Sequence, residues 1–438
     1  MPNTIREKFL DYVFANMGDA VCLTAKNGEI YYVNTSAEKL FGFGESSAGR
    51  KIWEVIPFTE KNDALIQLFI DTVKQHRDLH SLVDYENNQG MVYKLHISVT
   101  YMTEHDGIFA VVVRNLTELV RVSSAFERYT SPEIAKYVLE TPGGEKQGGS
   151  LRDVTILMSD LRGFTALSTK LPADTLITIL NHYFEKMIEV IKRWKGTLVE
   201  FLGDGIFVVF GAPNDDDNHA EHAVFCALEM ENAMKSVNEW NALNGYPSLE
   251  MGIGINSGAA VVGNIGSAQR MKYGCMGETV NLAGRVETFT VGGQVYISER
   301  TRAKISAELT ITDEQSFMPK GAATPMKIFA VEGIGDIHMA HREYVMRDTV
   351  RRPEVKFFTI AGSKSVEGGA NTGRIVKVSV DEKYAVLESD APVEAMQNIL
   401  IDIGGSLYAK AVNVSGKEIT ICFTSKPDGF SDWAKSLF

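Results

Sequence analysis

The sequence predicts a multidomain α+β protein, on three observations. At 438 residues the chain is longer than one hydrophobic core can organise. Its middle part alternates long amphipathic helical stretches with short apolar strand-like runs, the pattern of an α+β layer. Both flanks instead carry short strand-like runs broken by turn residues. The apolar fraction of 45% and the charged fraction of 23% are those of an ordinary globular protein. A net charge of −12 argues against a general affinity for nucleic acid or anionic membrane, since both need a basic surface. Cys22, Cys226, Cys275 and Cys422 are too scattered for a zinc site or a disulfide framework, and they read as reduced, buried thiols with a cytoplasmic address. The first residues hold no apolar leader core, and nowhere does the chain offer the ~18 uninterrupted apolar residues that cross a bilayer, so no membrane partner is expected.

Residues 1–118 form the first expected unit. Strand-like runs at Ala20–Thr24 and Glu29–Val33 flank the turn Lys26-Asn27-Gly28, followed by helical stretches at Thr35–Phe41 and Asp63–His76. In Met91–Tyr101 apolar and polar residues alternate as in a half-buried strand, and Ile108–Val113 follows as an apolar one. This order, with the phrases GEIYYVNTSAEKLFGF and FAVVVRNLTEL, resembles a PAS domain, a fold that senses small molecules, binds haem or flavin, or dimerises. The cysteine motif of the light-sensing flavin subclass is missing. His76 and His80 fall where a haem-binding member places an axial ligand, but a solvated helix histidine is the commoner case. The PAS ligand is left open.

Residues 119–150 read as a connector. LVRVSSAFERYTSPEIAKYVLE has helical spacing with a restart at Ser131-Pro132, and the end is Gly-rich. A similar segment in multidomain cyclases joins sensor to catalytic unit; a plain linker is the equal alternative.

In residues 151–340, Val154–Met158 reads as a buried strand. Pro172–Trp194 carries Leu176, Ile179, Leu180, Tyr183, Phe184, Met187, Ile188 and Ile191 at helical spacing. TLVEF-LGDG-IFVVF is a hairpin, and a helix (His219–Trp240), strands at Leu249–Asn256 and Met271–Met276 and a helix (Glu278–Phe289) complete a layer of ferredoxin-like character. Asp160 in MSDLRGFT and Asp204 in EFLGDGIFVVFG both stand at strand ends. Carboxylates there suit a hard cation such as Mg²⁺ or Mn²⁺, with the Leu161 carbonyl as a third donor, although either aspartate alone is an ordinary turn residue.

Together and in this order, MSDLRGFT, LGDG and GETVNLAGRVE resemble the class III adenylate and guanylate cyclases. That resemblance implies a homodimer with head-to-tail sites, two divalent ions per site on Asp160, Leu161 and Asp204, and transition-state groups from the other subunit at Asn281 and Arg285. These two are spaced i, i+4 and share a helix face. The arginine fork suits an α-phosphate gaining charge. Arg270 matches the position that holds terminal phosphates, and the backbone at Gly163 and Phe164 the turn that cradles the β- and γ-phosphates.

Family members that use ATP usually have Lys at the position of Glu200, and Asp or Thr at that of Gly274. A carboxylate accepts guanine N1–H and N2–H₂ side by side, whereas adenine offers it no proton at N1. Glu200 with Gly274 therefore favours GTP. Adenylate cyclase activity and an inactive nucleotide-binding regulator are the alternatives.

Residues 341–438 carry runs at Arg374–Val380, Tyr384–Ser389, Ile399–Ile403, Leu407–Val414 and Glu418–Phe423 before a short helix, which suggest a small β-barrel. It resembles a degenerate PilZ domain. Arg347 and Arg351 match the RxxxR stretch, but around Ser379 the second motif has Lys377 for its acid or amide and Glu382 for its glycine, so cyclic di-GMP binding is not expected.

Overall fold

A computed structural model describes residue 9 and residues 12–42, 47–102, 107–319, 325–340, 345–361, 365–427 and 429–438. The leader reading of the first residues falls largely outside them. The chain divides into two units, the first ending at Tyr129 and the second beginning at Thr130. Among the described residues no helix is long and apolar enough to cross a membrane.

The first unit is built on β1 (Ala20–Ala25), β2 (Ile30–Val33), β3 (Leu79–Glu86), β4 (Val92–Met102) and β5 (Ile108–Asn115). They form an antiparallel sheet in the order β2-β1-β5-β4-β3. Helices α1 (Thr35–Phe41), α2 (Ile52–Val55) and α3 (Asp63–Gln75) cover it, and Phe69, Leu95, Ile97, Val99 and Phe109 are buried in its core. Asn34 ties the first turn together: its Oδ1 accepts from Val21 N and Ala37 N, capping α1, while its Nδ2 donates to the Phe14 and Asp19 carbonyls. Strand β3 was not anticipated, because its first half alternates half-exposed and exposed residues and gives no apolar run. His76 ends α3 in a left-handed conformation with φ 51°, and His80 lies on β3 rather than on a helix. Both are exposed, in keeping with the solvated reading. Helix α4 (Thr117–Tyr129) follows and buries no residue.

In the second unit, α5 (Pro132–Glu140) is capped by Ser131 Oγ, which accepts from Ile134 N. The central layer then runs β6 (Gly148–Leu161), α6 (Phe164–Ser168), α7 (Ala173–Arg193), β7 (Thr197–Leu202), β8 (Gly205–Phe210), α8 (His219–Leu243), β9 (Met251–Ser267), β10 (Arg270–Met276), α9 (Glu278–Thr288), β11 (Gln294–Ser298), α10 (Glu299–Arg302), β12 (Leu309–Phe317), β13 (Met326–Ile334) and β14 (Ile337–His338). The sheet order is β12-β13-β11-β9-β6-β8-β7, with β10 on β9 and β14 on β13. Its β9-β6-β8-β7 portion, threaded by α7 and α8, is the ferredoxin-like core. Ile179, Tyr183 and Met187 of α7 and Leu228, Met230 and Met234 of α8 bury one face against Leu157, Ile253 and Ile255. On the other face Ile134 of α5 and Ala283 of α9 pack with Ile156, Phe207 and Tyr273.

One glycine lets α9 lie close to β9, and a second makes room for Arg162. A Cβ on Gly254 would overlap the Glu287 backbone, and one on Gly252 would overlap Thr290 Oγ1 and the Arg162 guanidinium. Strands β11 to β14 and the second half of β9 were not anticipated. Strand β12 alternates half-buried with exposed residues, and the far half of β9 is interrupted by Gly258, Gly263 and Gly266.

The C-terminal portion comprises β15 (Met346–Asp348), β16 (Glu354–Ala361), β17 (Ser365–Ser379), β18 (Tyr384–Glu388), β19 (Asn398–Asp402), β20 (Ser406–Ser415), β21 (Glu418–Ser425) and α11 (Phe430–Lys435). Strands β17-β16-β19-β20-β21-β18 close into a barrel through the β17–β18 pairing, around Phe357, Ile375, Leu387, Ile401, Leu407 and Ile421. Arg347 and Arg351 are exposed. Ser379 Oγ donates to Asp381 Oδ1 at 2.6 Å and accepts from Tyr384 N, closing the following turn on itself. Glu382 sits in that turn at φ 57°, a geometry that favours glycine.

Substituting Gly254→Ala is expected to destabilise the second unit by about 1–3 kcal/mol, as overpacking against a backbone does. Chemical denaturation followed by fluorescence checks this.

Candidate functional site

Strand β6 ends where the β7–β8 hairpin turns, and this brings Asp160 to Asp204. The ladder pairs Ser159 with Ile206, so the Leu202–Gly205 turn closes directly over the next β6 residue. A Cβ on Gly205 would stand 2.7 Å from the Ser159 carbonyl and 3.6 Å from Asp160 Oδ1, which accounts for glycine in that turn. Burial raises the Asp160 carboxyl above its ordinary value, and Arg162 opposes the shift. Asp204 is raised by burial first and by the Asp160 charge second, while hydrogen bonds from its own amide and that of Leu161 oppose. Two carboxylates that repel each other in a partly buried corner, with the Leu161 carbonyl at the strand end, fit a hard divalent cation. Among the described residues no group of three or more His, Cys, Asp or Glu side chains could hold a metal, so a cation here would take part of its shell from water or from a bound phosphate.

Arg162, to which the sequence alone assigns no role, stands beside Asp160. Its Nη1 lies 3.6 Å from Asp160 Oδ2. Its Nη2 donates to Glu287 Oε1 and, at 2.7 Å, to Thr290 Oγ1. Burial raises the Glu287 carboxyl and the Arg162 charge opposes this, so the guanidinium serves two acids at once.

The groups expected to meet phosphate are placed as follows. Gly163, at φ 72°, makes the turn into α6 and Phe164 is the first residue of that helix, its side chain buried. Arg270 opens β10 at the β9–β10 turn and is exposed. Asn281 and Arg285 lie on α9, both exposed and neither side chain hydrogen-bonded among the described residues. By helical geometry they project from roughly the opposite side of α9 to Glu287, which faces Arg162. One chain thus gathers the aspartates at one edge of the layer and presents Asn281 and Arg285 outward.

Glu200 lies on β7 and Gly274 on β10. Sequence reasoning missed the partner of Glu200: Lys272 Nζ pairs with its Oε2, joining the two strands. Lys272 precedes Gly274 by two residues and so shares its strand face, but its pairing with Glu200 arises only where the two strands meet. The Glu200 side chain remains 44% exposed, open to a ligand edge. A Cβ on Gly274 would meet only Ile265 Cδ1, at 3.4 Å, so larger residues fit there.

Residues 147–340 match the family model described as the adenylate and guanylate cyclase catalytic domain, and residues 18–118 match that of the PAS domain. Adenylate cyclase 1 of Rhizobium meliloti (strain 1021) is 30% identical over 211 residues, which cover 48% of this chain and 32% of that protein. The adenylate cyclase of Anabaena cylindrica is 28% identical over 273 residues, covering 59% of this chain and 50% of that one. The chain therefore spans between a third and a half of the length of these curated relatives. Among solved structures, the guanylyl cyclase Cya2 is 45% identical, with 44% of this chain and 100% of that chain covered at a TM-score of 0.43.

An acid whose folded pKa lies above its unfolded value stabilises the fold while protonated, and that contribution is lost as pH rises through the folded pKa. At neutral pH without metal, Asp204→Asn is therefore expected to raise the thermal midpoint of the second unit. Saturating Mn²⁺ should reverse the ranking, because it stabilises only the chain with both carboxylates. Calorimetry of both chains with and without Mn²⁺ checks the crossover.

Proposed function

Because the chain belongs to the class III nucleotide cyclases, with a PAS domain ahead of its catalytic domain, we propose that it converts GTP into 3′,5′-cyclic GMP and pyrophosphate as a homodimer. The observation that carries this reading is the meeting of Asp160 and Asp204 at the end of β6 in a corner that repels them without a cation. In the reaction the ribose 3′-hydroxyl gives its proton to water and its oxygen forms a bond to the α-phosphorus, while the bond from that phosphorus to the α–β bridging oxygen breaks and pyrophosphate leaves with the electron pair. Divalent ions, when bound, neutralise the triphosphate and lower the pKa of the hydroxyl.

The chain's own residues bind and orient. Asp160, Asp204 and the Leu161 carbonyl hold the ions. The backbone at Gly163 and Phe164 and the guanidinium of Arg270 take the β- and γ-phosphates. Asn281 and Arg285 of a second copy meet the ribose and the α-phosphate, which agrees with their outward placement on α9. Arg285 opposes the charge that grows on the α-phosphate oxygens. The PAS domain adjusts how the two catalytic copies align, and a cytoplasmic site of action follows from the nucleotide substrate.

Glu200 supports guanine as the base. Its carboxylate is exposed enough to accept N1–H and N2–H₂, Lys272 holds it in place, and Gly274 offers no side-chain acceptor to adenine N6. Adenylate cyclase activity is the second reading, favoured by the names of the curated relatives.

Assayed with Mn²⁺, the purified chain is expected to turn over GTP faster than ATP. Glu200→Lys should shift the GTP-to-ATP ratio of kcat/KM toward ATP by at least about tenfold, the effect of leaving a base edge unpaired. Equal ratios before and after would mean that Glu200 does not read the base. Arg285→Ala is expected to lower kcat by about 10²–10³-fold. Mixing it with Asp204→Ala should restore activity, since a mixed dimer keeps one complete site; no recovery would exclude a site shared between copies.

A further inference from the structure

The C-terminal barrel and the catalytic layer form one unit, and a lysine of the barrel reaches the back of the proposed reaction centre. Leu407, Ala409 and Ala411 of β20 point into the barrel, so the alternating register turns Tyr408, Lys410 and Val412 outward. An outward lysine is normally solvated, yet Lys410 is only 7% exposed because the catalytic layer covers it. Its Nζ donates to the carbonyls of Thr288 at 2.5 Å and Thr290 at 3.2 Å. Thr288 closes α9, so the ammonium sits at the negative end of the helix that carries Asn281 and Arg285.

The charges facing Lys410 are Arg162 and Glu287. Burial pushes the ammonium down to about 8, Arg162 adds to the shift, and Glu287 opposes it. The contacts from there to the metal corner are short. Thr290 Oγ1 accepts from Arg162 Nη2 at 2.7 Å, and Arg162 Nη1 is 3.6 Å from Asp160 Oδ2.

Two more contacts hold the same face. Lys383 Nζ pairs with Glu250, whose carbonyl accepts from Arg162 N at 2.7 Å. A Cβ on Gly163 would stand 3.1 Å from the Thr424 carbonyl, so β21 abuts the turn that follows Arg162. Val291, Tyr384 and Cys422 form a buried apolar patch across the junction. Burying an ammonium at such a junction is costly compared with an apolar chain of similar length.

Resting on the cyclase reading above, we propose that Lys410 is a positioning residue through which the barrel sets the catalytic geometry. It holds the end of α9 and, by way of Thr290, Glu287 and Arg162, the setting of Asp160.

In the full chain, Lys410→Met removes the charge and keeps the length. With GTP and Mn²⁺, kcat is expected to fall about tenfold or more while KM for GTP moves by less than about twofold, since misplacement of catalytic groups acts on turnover. The Mn²⁺ concentration giving half the maximal rate should rise, and Lys410→Arg should recover most of the lost kcat. A Lys410→Met chain with kcat within about twofold of the unmodified one overturns the proposal, and so does a loss that arginine does not recover. Should Lys410→Met fail to fold, Lys383→Met carries the test from the half-exposed rim of the same face: lowered kcat at unchanged KM supports the proposal and unchanged kcat overturns it. If the unmodified chain forms no cyclic nucleotide from GTP or ATP, the cyclase reading falls and this proposal with it. That outcome is distinct from an active chain indifferent to Lys410.

Discussion

The catalytic layer depends on how one guanidinium is shared. Arg162 stands two residues after Asp160 and is wedged between it and Glu287, while Gly252 leaves the room it occupies. Without that charge, Asp160, Asp204 and Glu287 would face one another as raised, partly buried acids on a single corner. With it, the helix that carries Asn281 and Arg285 is fastened by its far side to the strand that carries Asp160. The face that carries Asn281 and Arg285 is left to point outward.

Glycine placement serves the same arrangement. Gly254 lets α9 approach β9, Gly252 makes room for Arg162, and Gly205 lets the hairpin turn close over Ser159. None of these residues touches a substrate in the proposed mechanism. Each allows two backbones to come close enough for side chains elsewhere to meet.

The readily legible parts of the fold were those with local periodicity. The stripe Ile179, Tyr183, Met187 of α7 and the apolar β8 are buried as their patterns imply, and barrel strands β18 to β21 follow their apolar runs, whereas β16 and the first half of β17 were not anticipated. Strands β3 and β12 escaped because their apolar residues are broken up by polar and charged ones and give no continuous or cleanly alternating run. The far half of β9 escaped because glycines interrupt it. In the candidate site, the aspartates and the α9 pair stood in motifs and could be named from sequence. The Lys272–Glu200 pair and the sharing of Arg162 with Glu287 could not, since each joins residues far apart in the chain through sheet pairing and helix packing.

The junction between barrel and catalytic layer bears on how such a chain can change over generations. Neighbouring domains commonly meet through modest, rather polar surfaces, so recombination can shuffle them. Here an ammonium from one piece fills the helix end of the other, and Gly163 leaves room for a barrel carbonyl. Each piece has become part of the other's interior, and a lineage would have to inherit or lose the two together.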